Sequence, residues 1–165
     1  MIYLLDADTL IRADALYYPP KRFPTFWPWL AHQGAEGQIK IPSEQYEEIT
    51  AGKGELVDWL KEPEVKVALL FDEEADTGLV STVTLKGYAD DLTDLELEKI
   101  GKDPFLIAAA LADPRGRCVV SFETSAPSKQ RANRKMPDVC STFGVTCKNL
   151  FQLINDLDFT TDWKP

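Results

Sequence analysis

Ile2-Tyr3-Leu4-Leu5-Asp6 decides the fold: four apolar residues in an unbroken run, stopped by an acid. A strand with one wet face alternates apolar and polar residues, whereas a strand covered on both faces reads as a continuous apolar run. Residues 2–5 are therefore expected to be a buried parallel strand. A helix is expected next, from about Asp8 to Leu16, ended by Tyr17-Tyr18-Pro19-Pro20 because proline cannot continue the hydrogen-bond ladder. Working outward, strands are expected at 38–41, 65–71, 117–122 and 145–147, with helical stretches between them. This alternation predicts an α/β fold, a mostly parallel central sheet covered on both faces, in one domain over residues 1–165.

The helices carry their own punctuation. Thr25 stands where it would cap a helix through Trp27, Trp29 and Leu30, with Gly34 and Gly37 around its end. Pro42-Ser43 opens a helix containing Tyr46, Glu48 and Ile49, which Gly52 closes, and a further short helix holds Leu56, Val57, Trp59 and Leu60. Residues 76–89 fit a helix loosely, with Thr82 and Thr84 against it. Thr93 and Glu96 have capping-box spacing for a helix through Ile100. Asp103-Pro104 reads as an N-cap acid followed by proline at the first helical position, and the body from Phe105 to Ala112 is apolar enough to be buried. Residues 123–135 read as a polar connection, and Asn149 is expected to cap a final helix through Leu157.

Composition narrows the function. Apolar residues make up 44 % of the chain and net charge is −9. The first is the profile of a chain with a core, and the second argues against a duplex-DNA binder, which is usually basic. An enzyme that clusters acids around a cation and grips its substrate with a local basic strip remains compatible. Cys118, Cys140 and Cys147 are odd in number and form no C-x-x-C pair, so reduced thiols are expected rather than disulfides or structural zinc. His32 is the one histidine; it is expected on a helix surface and cannot supply a His-based metal site. No apolar run suits a membrane span, and the opening ten residues carry acids without a basic segment. No membrane partner is expected, and the cytoplasm is the expected location.

Four acids fall where an α/β sheet concentrates chemistry. Asp6 ends the first strand, and open α/β sheets bind ligands at the carboxyl ends of their strands; the alternative is a helix cap. Glu48 sits at the edge of the face carrying Tyr46 and Ile49, where the alternative is a snorkelling surface glutamate. Asp103 opens the most buried helix, and capping alone would explain it. Glu123 follows the strand 117–122 and emerges at the same sheet end as Asp6, or is a plain loop acid. A few carboxylates seat Mg²⁺ or Mn²⁺, which activate water and neutralise charge on a scissile phosphate. Lys129, Arg131, Arg134 and Lys135 form a basic strip that no acid interrupts, suited to RNA phosphates or to a solvated loop.

The contexts of these acids resemble the PIN-domain ribonucleases. Tyr3-Leu4-Leu5-Asp6-Ala7-Asp8-Thr9 is similar to that family's opening strand, aspartate and polar residue. Glu48-Ile49-Thr50-Ala51-Gly52 looks like its E-L-x-x-G helix. Asp103-Pro104-Phe105-Leu106-Ile107-Ala108 resembles its third acidic motif, and Val119-Val120-Ser121-Phe122-Glu123 its strand followed by Thr-x-Asp. The likeness runs from Met1 to about Leu150, and the segments Phe23 to Leu30 and Met136 to Cys140 look like a bacterial PIN-like branch. It implies a three-layer α/β/α PIN-like fold and Mg²⁺- or Mn²⁺-dependent RNA hydrolysis. Asp6, Glu48, Asp103 and Glu123 would be the catalytic metal ligands, with Asp8, Thr9 and Ser121 beside them. Many relatives are toxins silenced by a small antitoxin protein, and many are homodimers. Two departures are Asp8, where Asn or Ser is commoner, and Glu123 in place of Asp.

Two rival readings stand beside it. Asp6-Ala7-Asp8-Thr9 matches the D-x-D-x-T opening of haloacid-dehalogenase-type phosphatases, with Asp6 as nucleophile and Asp8 as general acid. That family also needs a later pair of acids after a strand, and no Gly-Asp-x-x-x-Asp occurs here. The other rival is a non-catalytic PIN fold that only binds a partner.

Overall fold

The computed structural model describes all 165 residues. Five strands form one parallel sheet: β1 (Ile2–Leu5), β2 (Ile39–Pro42), β3 (Leu70–Phe71), β4 (Arg117–Val120) and β5 (Thr146–Lys148). Their spatial order is β3-β2-β1-β4-β5, and every neighbouring pair runs parallel. The chain builds outward from β1 in one direction, then returns to its other side at β4. The gap between β1 and β4 is the switch point at which sheets of this kind bind ligands.

Ten α-helices cover the sheet: α1 (Ala7–Arg12), α2 (Phe26–Ala35), α3 (Ser43–Thr50), α4 (Glu55–Lys61), α5 (Pro63–Leu69), α6 (Thr77–Thr82), α7 (Asp94–Ile100), α8 (Asp103–Leu111), α9 (Met136–Thr142) and α10 (Leu150–Asp156). Strand side chains alternate between faces, and the core divides accordingly. Tyr3, Leu5, Ile39, Ile41, Cys118 and Val120 pack with α1 to α5 and α10. Leu4 and Val119 pack on the opposite face with α8, α9, Val83 and Ile100. Leu4 and Leu5 are both fully buried, which explains the unbroken apolar run: each face of β1 has its own helical layer. The three-layer α/β/α architecture is thus as expected, with the sheet wholly parallel. No helix is long and apolar enough to cross a membrane.

Local signals mostly act as read. The Thr93/Glu96 capping box forms on α7, and Asn149 with Gln152 makes a second one on α10. Both α1 and α6 widen into π-helical turns, Ala13–Tyr17 and Val83–Tyr88. Cys118, Cys140 and Cys147 are free thiols, and His32 is half-buried beside Trp163, ring centroids 5.2 Å apart.

Four expectations are corrected. Residues 65–71 are not one strand: Pro63 starts α5, and only Leu70 and Phe71 pair with β2. Val65, Ala68 and Leu69 stand at i, i+3 and i+4, a helical stripe that a strand reading of this short apolar segment misses. Thr25 makes no side-chain cap; its hydroxyl donates to the Thr161 carbonyl at 3.0 Å, pinning the C-terminal segment. Asp103 is the first residue of α8 rather than its cap, a position held by Lys102, and its carboxylate makes no cap bond. A helix unforeseen in the sequence, α9, follows the polar connection, with proline in its first turn.

Helix α2 lies close against α5 at Gly34. A Cβ there would sit 2.6 Å from Leu69 Cδ2 and 2.8 Å from the Ala68 carbonyl oxygen. Backbone cannot yield as a side-chain tip can, so Gly34→Ala is expected to cost roughly 1–3 kcal/mol of overpacking. Urea denaturation should show a lower midpoint with an unchanged slope; an unchanged midpoint would mean that the two helices part without cost.

Candidate functional site

The site grows from the C-terminal ends of β1 and β4. Asp6 is the residue after β1, and its backbone N–H is tied to the Val120 carbonyl at 3.0 Å, locking it to the end of β4. Thr9, buried one turn into α1, adds a second tie: its hydroxyl donates to the same carbonyl at 3.1 Å. Asp6 occupies the N-cap position of α1 yet makes no side-chain cap bond, so capping does not account for its carboxylate. That carboxylate is buried, 9 % exposed, and accepts a hydrogen bond from the Ser121 hydroxyl at 3.1 Å.

Ser121, itself buried, links two of the acids. Its oxygen donates to Asp6 and accepts the backbone N–H of Glu123 at 3.2 Å. Glu123 in turn accepts the Met136 backbone N–H at 2.6 Å, at the start of α9, and Lys135 stands 3.8 Å from its other oxygen. Glu123 thus lies in the connection after β4, as expected, but its carboxylate is anchored at the N-terminus of a helix that the sequence did not announce. Asp103, half-buried on the first turn of α8, is the third acid. Glu48 is exposed on α3 and lines a groove of about 300 Å³ with Ile11, Asp14 and Gly52.

Electrostatics ties the four together. Burial lifts Asp6 to about 6, and the charges of Asp8, Glu48 and Glu123 push the same way while the Ser121 bond opposes them. Asp103 is lifted further, to about 8, by burial first and then by the charges of Asp6, Glu123, Glu48 and Asp8. Carboxylates gathered in a poorly solvated place resist ionisation together, because each charge raises the cost of the next. A hard cation would relieve this repulsion. No three Asp, Glu, His or Cys side chains form a ready-made cage as they stand.

Beside Asp103 and Glu123 lies a depression of about 300 Å³ whose remaining polar wall includes Lys99, Lys129, Arg134 and Lys135. Three of the four residues of the expected basic strip thus border the acids. Arg131 does not: its guanidinium is committed to Asp91 at 2.6 Å and Glu96 at 2.9 Å, clamping this loop to α7. Arg134 is partly committed too, donating to the carbonyls of Gly87 and Asp138. Asp8 pairs with Arg12 at 2.6 Å along α1.

A sequence profile for a family described as "Domain of unknown function (DUF4411)" matches residues 3–161. The chain belongs to the DUF4411 family. The match takes in every site residue named above. No curated protein and no solved structure matches this DUF4411 chain.

Two further residues of this DUF4411 site escaped the sequence reading. Gln45 is buried on α3, and its amide donates to the Lys102 carbonyl at 2.9 Å, fastening α3 to the start of α8. Its spacing of three from Glu48 was the available signal. Tyr88, at the end of a π-helical turn, buries its hydroxyl without a partner. Burial, then the charges of Asp103 and Glu123, push its phenol far up, so it stays protonated and able to donate. Nothing in the local sequence marks Tyr88.

Proposed function

We propose that this chain is a metal-dependent endoribonuclease of the PIN type. The observation that carries the reading is the convergence of Asp6, Asp103 and Glu123 at the β1/β4 switch point, beside a depression walled by lysine and arginine. All the donors are oxygens, and mutual repulsion leaves them short of positive charge, which suits Mg²⁺ or Mn²⁺. A closed cage is not needed, because Mg²⁺ takes one or two carboxylates and keeps several waters. When bound, the cation supplies an activated water and neutralises charge building on the scissile phosphate.

The chain's own residues have separable tasks. Asp6 and Asp103 hold the cation, with Glu48 and Glu123 assisting. Ser121 and Thr9 fix the angle between the ends of β1 and β4, and Ser121 orients Asp6. Lys129, Lys135 and Arg134 hold flanking phosphates of single-stranded RNA, which positions it without reading its sequence. Within this reading the chain acts in the cytoplasm as the toxin of a toxin–antitoxin pair, silenced by a small protein, and as a homodimer.

Ser121→Ala would remove both hydroxyl bonds while leaving the strand intact. It is expected to weaken Mn²⁺ binding by roughly tenfold or more, the usual effect of losing a ligand's supporting bond. Calorimetric titration reads this directly, and an unchanged affinity would deny Ser121 its positioning role.

The reading itself is tested by incubating the chain with mixed single-stranded RNA in Mg²⁺, Mn²⁺ or EDTA, beside a generic phosphate monoester. Metal-dependent RNA cleavage is expected. Monoester turnover without RNA cleavage would instead favour the phosphatase, although Asp8, which that chemistry needs as an acid, is in an ion pair with Arg12. Silence in both assays with no metal uptake would leave a non-catalytic interaction module.

A further inference from the structure

A second recess, of about 160 Å³, lies where the π-helical turn after α1 meets α2 and α4. Asp14, Pro20, Trp27, Glu55, Leu56 and Trp59 line it, and none of the four site acids does. Its walls are of two kinds. Trp27 and Trp59 present indoles 5.1 Å apart between centroids and inclined at 78°, two nearly perpendicular aromatic walls. Trp27 is buried and its indole N–H is already satisfied by the Tyr18 carbonyl at 2.9 Å, so its exposed part offers ring rather than donor. Asp14 and Glu55 supply the other kind of wall.

Neither carboxylate takes part in any of the chain's ion pairs. They are near enough to feel one another: burial first, then the Glu55 charge, raises Asp14. An anion would be repelled here, and a neutral apolar group would strip water from two carboxylates without compensation. A cation with apolar flanks satisfies both walls, since tryptophan is the best aromatic partner for a cation and the carboxylates complete the neutralisation. The volume far exceeds the ~30 Å³ share of a water, so it admits a group of several heavy atoms.

We propose that this recess binds an organic cation, an alkylammonium or guanidinium group, between the rings of Trp27 and Trp59 and the carboxylates of Asp14 and Glu55. The head group belongs either to a lysine or arginine of a polypeptide or to a free small amine; the two share their chemistry and are separable by experiment.

The test uses the full chain, with the indole N–H signals of Trp27 and Trp59 followed by NMR. The probes are tetramethylammonium, Gly-Lys-Gly and Gly-Arg-Gly peptides acetylated at the N-terminus and amidated at the C-terminus, and the same blocked lysine peptide acetylated on its side chain. Saturable shifts of both indoles are expected with the cations and not with the acetylated peptide. Affinity should fall roughly tenfold in Glu55→Gln and in Trp59→Leu. Glu55 is exposed, so its variant keeps the test valid if the tryptophan variant folds poorly. Stronger binding of the peptides assigns the site to a polypeptide side chain, and stronger binding of tetramethylammonium to a small quaternary amine. No saturable shift with any cation, or shifts that Glu55→Gln leaves untouched, would overturn the proposal; the latter would show only diffuse attraction to an acidic chain.

Discussion

Asp6→Asn should lose metal-dependent RNA cleavage by about a hundredfold or more while remaining folded. The carboxylate caps no helix and accepts one hydrogen bond, from Ser121. An amide oxygen can still accept that bond, and the strand ends also stay joined through the Asp6 N–H and the Thr9 hydroxyl, both donating to the Val120 carbonyl. What disappears is a full negative charge at the switch point. Losing several kcal/mol of transition-state charge stabilisation corresponds to a rate loss of this size or greater. Single-turnover cleavage with Mn²⁺, together with a melting curve for each protein, separates the two quantities. A variant that retained full activity would remove Asp6 from the site, and one that was inactive but unfolded would say nothing for catalysis, which is why both readings are needed.

The metal-free protein should become less stable as pH rises from about 4 to about 8. Asp6 titrates near 6 and Asp103 near 8 in the folded chain, both above the ordinary 3.8. Through that window the native state holds more protons than the unfolded state, and stability falls wherever this is so. Below pH 4 both states are protonated and the contribution is flat; its loss is complete only about one unit above the folded value of Asp103, at roughly pH 9. Asp6 alone accounts for about 3 kcal/mol, at ~1.4 kcal/mol per unit. The Asp6 charge raises Asp103, so their contributions do not simply add. Glu96, Asp138 and Asp156 have lowered values and act the other way, but only as pH drops below their ordinary range. Urea midpoints in EDTA at pH 5 and pH 9 measure the effect. Asp103→Asn should flatten the upper part of the slope and stabilise the metal-free protein, and Mn²⁺ should flatten it in the wild type. A midpoint that rose between pH 5 and pH 8 would contradict the raised values and the crowding behind them.

The legible parts of the fold were those governed by local rules. The apolar run at residues 2–5 announced a strand buried on both faces, and Leu4 and Leu5 do pack on opposite layers. The boxes at Thr93/Glu96 and Asn149/Gln152 need only three residues of spacing to operate. Errors arose where a local pattern was ambiguous. Val65 to Phe71 is short and apolar, and periodicity alone did not separate a helix from a strand there. The start of α9 has no side-chain cap of its own; Glu123, thirteen residues earlier, receives the Met136 N–H.

Composition and order along the chain determined the class of fold, the parallel sheet and the candidate acids, because burial periodicity and turn chemistry act over a few residues. Tertiary structure alone decided what those acids do. Asp6 and Ser121 are 115 residues apart and meet only because β4 returns beside β1. The folded chain raises Asp6 through burial and the charges of Asp8, Glu48 and Glu123, and Asp103 through burial and the Asp6 charge, a property of distance in space that no spacing in sequence contains. It also sorted the basic strip, leaving Lys129 and Lys135 at the depression while binding Arg131 to Asp91 and Glu96. Charge count is written in the chain; which charges remain free is settled by what the folded neighbours have already taken.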